Sequence, residues 1–306
     1  MEILNLNRMN DVLFKAVFGE NPNITLSFIN SVFSYQGTAT FKSIDFIDRE
    51  LNPIEEEAKE SRLDLVGKDS ITDEKVNLEV QMIKQKYFGE RSLYYWARLY
   101  NDLKSGEDYD KLTRTVTINV LDFKLFDDES KTEKNKSDTW HSCFGIYDIK
   151  TKRQLTDHLE MHFIELPKWK IQKDIKDMNT LEHWVSYFDK KTDPQELEEI
   201  AMQEPMIKEA IRAESIFTQD EIKRRAYELK EKAARDYRGH IKYYREEGYN
   251  QGLSQGISQG LKQGKMDMIL KLLEANQPIS LIAQVSDFPE EKIAKIGKEN
   301  GIAVKI

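Results

Sequence analysis

At 306 residues, 39% hydrophobic and 33% charged, the chain has enough apolar material for one sizeable core plus an appendage, under a polar surface. A formal net charge of −8 argues against a nucleic-acid partner unless Lys and Arg are clustered. Cys143 is the only cysteine, which excludes an intrachain disulfide and a cysteine-based zinc site; no apolar run approaches the roughly 18–20 residues of a membrane span, and no basic-then-apolar leader opens the chain, so it is expected to be cytoplasmic.

In chain order, Val12, Leu13, Ala16 and Val17 have helical spacing, which predicts a helix over 11–18 stopped by Gly19. A second helix is expected from an Asn23 cap through Val32, with Ile24, Phe28 and Phe33 for the core. Residues 41–47 read as a first strand, and the acidic stretch 52–60 as a solvated loop. Next come two runs of period-two alternation, Arg62-Leu63-Asp64-Leu65-Val66 and Val76-Asn77-Leu78-Glu79-Val80-Gln81-Met82, joined by a polar segment rich in turn formers. They predict a hairpin with one apolar face and one polar face carrying Arg62, Asp64, Asn77, Glu79 and Gln81. A turn centred between Ile71 and Thr72 sets Asp64 directly opposite Glu79, and cross-strand partners lie about 5 Å apart. Like charges so placed destabilise a sheet unless water or a divalent cation relieves them. The pattern therefore reads either as a solvent-facing acidic hairpin or as a metal site.

Residues 87–104 predict a helix whose Leu93, Trp96, Ala97, Tyr100 and Leu103 face the sheet, with Arg91, Tyr95, Arg98 and Asp102 on another face and Gly106 as C-terminal cap. Arg91 reads as a helix-surface residue or as a guanidinium pointed toward the metal site or a phosphate. A strand is expected over 112–123, a polar loop over 126–138, and a strand pair from 141–148 and 158–166 closed by Pro167. His158 and His162 then fall on a strand, as surface or cross-strand histidines rather than a helical metal pair. A helix over 178–188 is expected to pack on the core.

From Pro194 the pattern is helical, broken at Pro205 and resumed over 219–247. Between Glu221 and Arg245, nine Lys/Arg face four Asp/Glu, a local balance of +5. Lys223, Arg224, Arg225, Arg235 and Arg238 are the candidate phosphate contacts. Gly248, Gly252, Gly256, Gly260 and Gly264 form the internal repeat, and each glycine inside a helix costs roughly 0.5–1 kcal/mol. Two readings stand: a flexible Gly/Gln/Ser linker, or a soluble helix–helix contact that makes the chain a homo-oligomer. Short amphipathic helices over 266–274 and 281–296, broken at Pro289, close the chain and are expected to pack plainly rather than to form a DNA-reading helix-turn-helix.

Asp64 followed by Glu79-Val80-Gln81 resembles the PD-(D/E)XK nuclease core in its ExQ variant. With Asn10-Asp11-Val12-Leu13-Phe14-Lys15-Ala16-Val17-Phe18-Gly19, Ser61-Arg62-Leu63-Asp64, residues 91–100 and 106–109, and Phe163-Ile164-Glu165-Leu166-Pro167-Lys168, the chain resembles the recombination-promoting nuclease and transposase family over about residues 8–170. The resemblance implies an α/β fold with an αβββαβ mixed sheet flanked by helices over 1–190, and a mostly helical region over 191–306. It implies a DNA endonuclease that promotes recombination or transposition-like events. Asp64 and Glu79, with a backbone carbonyl near Val80, would hold Mg²⁺ or Mn²⁺. Gln81 stands where the superfamily has Lys and supplies hydrogen bonds but no charge, so Arg62 is the candidate for the missing cation. The competing expectation is an inactive DNA-binding or oligomerising protein on the same fold.

Overall fold

The computed structural model describes residues 3–47, 64–103, 105–126 and 139–305. Arg62, the acidic stretch 52–60 and nearly all of the polar loop 126–138 lie outside the described residues. The chain divides into two compact units, Met1–Arg235 and Asp236–Ile306.

The first unit opens with α1 (Asp11–Phe14), capped by the Asn10 side chain accepting the Val12 N–H, which runs into a π-helical turn, Lys15–Gly19. The expected single α-helix thus widens at Lys15. α2 (Pro22–Gln36) starts with Asn21 at the N-cap and Pro22 in the first turn, ahead of the expected Asn23, and ends on Gly37 at φ +80°. The first strand shrinks to β1 (Asp45–Phe46). β2 (Leu65–Lys68) and β3 (Lys75–Gln81) form the hairpin, with Leu65 paired to Leu78 and Lys68 to Lys75. α3 (Phe88–Tyr100) leads to β4 (Thr115–Leu121), parallel to β3. β5 (His141–Tyr147) and β6 (Gln154–Glu165) are antiparallel, and β6 lies parallel to β4. The result is a mixed six-stranded sheet of order β1-β2-β3-β4-β6-β5 within an α/β arrangement.

One face of the sheet (Val76, Leu78, Val80, Val116, Ile118, Val120, Ile164) packs on α1, α2 and three later helices. These are α4 (Thr180–Phe188), α5 (Pro194–Gln203) and α6 (Pro205–Gln219). α4 starts at a capping box in which Asn179 and Glu182 exchange hydrogen bonds. The Phe18, Phe28, Trp184 and Phe188 rings meet in its centre.

The other face corrects the expectation of a solvated polar side. Asn77, Glu79, Thr115, Thr117 and Asn119 are all buried, because α3 covers them. α3 turns Phe88, Ser92, Tyr95 and Leu99 inward; of the expected face, Trp96 and Tyr100 are half-buried, with the Tyr100 hydroxyl 3.0 Å from His158 Nδ1 on β6, whereas Leu93 (48% exposed) and Ala97 face outward. Ser92 Oγ donates to Asn119 Oδ1 and Trp96 Nε1 to the Thr115 carbonyl, so a polar sheet face selects a partly polar helix face. The helix closes at Asn101, well before Gly106. Of the two readings of His162, the cross-strand one holds: it is fully buried on β6 and meets His141 of β5 at 2.9 Å.

α7 (Glu221–Glu274) is one helix that incorporates the glycine repeat. In the second unit, Ile269 and Leu273 of α7 pack with Ile279 and Ile282 of α8 (Ile279–Ser286) and Ile293 and Ile296 of α9 (Glu290–Glu299). Among the described residues no helix is long and apolar enough to cross a membrane.

Candidate active site

The hairpin register continued by one step puts Asp64, just before β2, against Glu79 on β3. Asp64 Oδ2 accepts the N–H of Val80 at 3.1 Å, which ties its carboxylate to the strand carrying Glu79. Lys15, at the first position of the π-helical turn, places Nζ 3.5 Å from Asp64 Oδ1. Gly19 ends that turn against the same hairpin: a Cβ there would stand 2.9 Å from Leu65 Cδ2, so glycine permits the close approach.

Glu79 is 6% exposed. Arg91 of α3 reaches it from the covering helix, with Nη2 2.7 Å from Glu79 Oε1 and 3.0 Å from Gln81 Oε1; Nη1 donates to Gln85. The guanidinium also lies over the Phe88 ring, 4.8 Å from its centroid. Arg91 is thus not a plain helix-surface residue: its guanidinium points to Glu79, one of the two candidate metal ligands. Gln81 donates through Nε2 to the Ile83 carbonyl at 3.2 Å.

The electrostatics follow from burial. Burial pushes the Glu79 carboxyl up to about 7, Asp64 adds to the rise, and Arg91 only partly opposes it. Burial likewise raises Asp64, against the lowering effects of Lys15 and the Val80 N–H. Glu79 Oε2 is buried with no hydrogen-bond partner. An orphaned carboxylate oxygen beside a second carboxylate is a hard-oxygen donor set that fits Mg²⁺ or Mn²⁺.

Asp64, Glu79 and Gln81 are therefore brought together, and Arg62 lies outside the described residues. The five basic candidates lie along α7: Lys223 pairs with Glu20 at 2.7 Å and Arg224 with Glu228 at 3.7 Å, while Arg225, Arg235 and Arg238 are exposed along the same helix. Lys15 has no role in the sequence analysis, although it lies within the Asn10–Gly19 segment; only the hairpin's position against that turn reveals it.

A second polar cluster sits on β5 and β6, two strands from Glu79. Cys143, Glu160 and His162 offer ligand atoms within 4.8 Å of one another. The cluster is already satisfied internally: His162 meets Glu160 at 2.7 Å and His141 at 2.9 Å, and Arg114 holds Glu160 at 2.7 Å. Burial opposes ionisation of Glu160, but His162 and Arg114 outweigh it and bring the carboxyl down to about 2. Burial pushes the Cys143 thiol up to about 12. It is a structural network between β4, β5 and β6.

A family model described as PD-(D/E)XK nuclease family transposase matches residues 8–244. No curated protein and no solved structure matches the chain.

Proposed function

Because the chain belongs to the PD-(D/E)XK nuclease family of transposases, we propose that it is a metal-dependent DNA endonuclease whose cuts promote recombination or transposition-like events. The observation that carries the reading is the unpartnered, buried Glu79 Oε2 beside Asp64. Asp64 and Glu79 would hold the divalent ion, Mg²⁺ or Mn²⁺. When bound, such an ion acidifies water and stabilises charge on phosphoryl oxygens. The protein's part is to fix geometry. The Val80 N–H orients the Asp64 carboxylate, and Arg91 orients Glu79 through one oxygen, leaving the other free. Gln81, held by Arg91 and the Ile83 carbonyl, is placed to position water or phosphate by hydrogen bonds.

DNA is the partner in this reading, met in the cytoplasm. Lys223, Arg224, Arg225, Arg235 and Arg238 make sequence-independent phosphate contacts, which the local excess of positive charge on α7 supports. The chain self-associates through the glycine repeat. Its glycines have nothing within 4 Å of a would-be Cβ, and Tyr249, Leu253, Ile257 and Leu261, each following a glycine, are 50–70% exposed. Four-residue spacing keeps such a stripe on one slowly drifting helix face.

A second reading, an inactive DNA-binding protein on the nuclease fold, draws on the ion pairs Lys15–Asp64 and Arg91–Glu79, which offset both acids without an ion. Supercoiled plasmid incubated with the full chain separates the two. Conversion to nicked or linear DNA that requires Mg²⁺ or Mn²⁺ and stops with EDTA supports the nuclease; retarded but uncut plasmid supports the binder.

A further inference from the structure

Gln81 beside the acid pair carries no charge, so a cationic side chain facing a phosphate bound there would have to come from another element. We propose that Lys15 supplies it, as a catalytic residue donated by the π-helical turn rather than by the ExQ strand; the inference rests on the nuclease reading above.

Two described cations touch the acid pair, and their surroundings separate them. Arg91 is committed: it bonds Glu79, Gln81 and Gln85 and lies over Phe88. Turning it toward DNA would break all of these and leave the buried Glu79 without its cation. Lys15 has a single 3.5 Å contact, to Asp64 Oδ1, and its side chain is 41% exposed, open to an incoming phosphate. The backbone is also unusual at this residue. The α-helix gives way to a π-helical turn with Lys15 as its first residue. π-Helical turns are rare and occur frequently at functional sites. Gly19, at the other end of the turn, lies beside Leu65, the residue after Asp64.

Lys15 would act as follows. Asp64 can pair with the ammonium or with a divalent ion; with an ion on Asp64 and Glu79, Nζ is released to the phosphate. There it offsets the negative charge that builds on the non-bridging oxygens in the transition state. It makes and breaks no bond. The oxygen of a water forms the new P–O bond, the P–O bond to the leaving strand breaks, and the water's proton passes through solvent to the departing oxygen.

The test compares the full chain with Lys15→Met, Lys15→Arg and Lys15→Met/Gln81→Lys, reading Mn²⁺ affinity by calorimetry, melting temperature, and plasmid cleavage. Lys15→Met should melt near the parental temperature and bind Mn²⁺ as tightly or more tightly, since a competitor for Asp64 is gone. Its kcat should fall about 100-fold, the cost of removing one transition-state donor. Lys15→Arg should keep part of the activity, and Gln81→Lys in the Lys15→Met background should restore it. The proposal is overturned if Lys15→Met cuts at the parental rate, if it loses Mn²⁺ binding along with cleavage, as a mere support of Asp64 would, or if Gln81→Lys restores nothing. A parental chain that neither binds Mn²⁺ nor cuts would remove the nuclease reading and Lys15's role with it. A parental chain that cuts beside an equally active Lys15→Met removes Lys15 alone.

Discussion

Glu79→Gln is the substitution whose consequence can be worked furthest. The Glu79 carboxyl is raised from 4.5 to about 7 by burial and by Asp64, against the pull of Arg91. An acid raised in the folded chain favours folding fully below its unfolded value, and that advantage is lost as pH climbs toward the folded value. At 1.36 kcal/mol per pH unit, ionised Glu79 makes the folded chain about 3 kcal/mol less stable at pH 8 than at pH 4.5, relative to an uncharged side chain. Gln fits the same space and still accepts from Arg91, but it cannot ionise. The gap between variant and parent in urea unfolding with EDTA present should therefore widen by about 3 kcal/mol in the variant's favour between pH 4.5 and pH 8. Glu160, brought down to about 2, and His141, lowered to about 4 by burial and His162, are present in both proteins and cancel, so the window belongs to Glu79 and the Asp64 carboxylate coupled to it. A gap that stays constant with pH, or that moves against the variant, would refute the assignment of Glu79 as a buried, metal-ready acid.

Three further outcomes follow from the same geometry. Arg8 meets Glu214 through two bonds, 2.6 and 3.1 Å, with Tyr187 Oη donating to the same carboxylate at 2.7 Å in a buried setting, so Arg8→Met should cost about 3–5 kcal/mol in urea unfolding, and Arg8→Met/Glu214→Leu should recover most of it. Charge removal at Lys223, Arg224, Arg225, Arg235 and Arg238 should flatten the dependence of DNA affinity on salt, by about one unit of slope for each phosphate no longer neutralised, with an unaltered slope returning these residues to plain surface. Deletion from Gly248 onward should reduce the mass seen by light scattering to that of one truncated chain, and a mass that remains that of an oligomer would count against the glycine stripe.

Much of the site was legible in the sequence because period-two alternation and turn chemistry are local. The turn centre between Ile71 and Thr72 gives the pairing Leu65 to Leu78 that is found, and with it Asp64 against Glu79. What alternation cannot tell is whether a polar face meets water or another element. The hairpin face with Asn77 and Glu79 reads as solvent-facing or as a metal site, and α3 buries it together with Thr117 and Asn119 of β4. Leu93 and Ala97, both exposed, fit a core face only if the sheet below is apolar throughout. Ser92 on Asn119 and Arg91 on Glu79 show why the other face won. Lys15 was illegible for a different reason: its contact joins residues far apart in the chain, and the π-helical turn that presents it leaves no mark in an apolar spacing that fits an ordinary helix. The glycine repeat was ambiguous because a helix of exposed glycines is marginal on propensity alone; in the structure it is a continuous part of α7.

The central claim is that Asp64 and Glu79 form a metal-dependent phosphodiesterase centre, and plasmid nicking by Asp64→Asn measured beside its melting temperature tests it most directly. Asn keeps the side chain's shape and its acceptor for the Val80 N–H while removing the charge that would hold the ion. Nicking in Mg²⁺ or Mn²⁺ should fall by orders of magnitude while the melting temperature holds or rises, since burial already disfavours the Asp64 charge. An Asp64→Asn protein that folds normally and still cuts at the parental rate would contradict the account and move the active centre elsewhere.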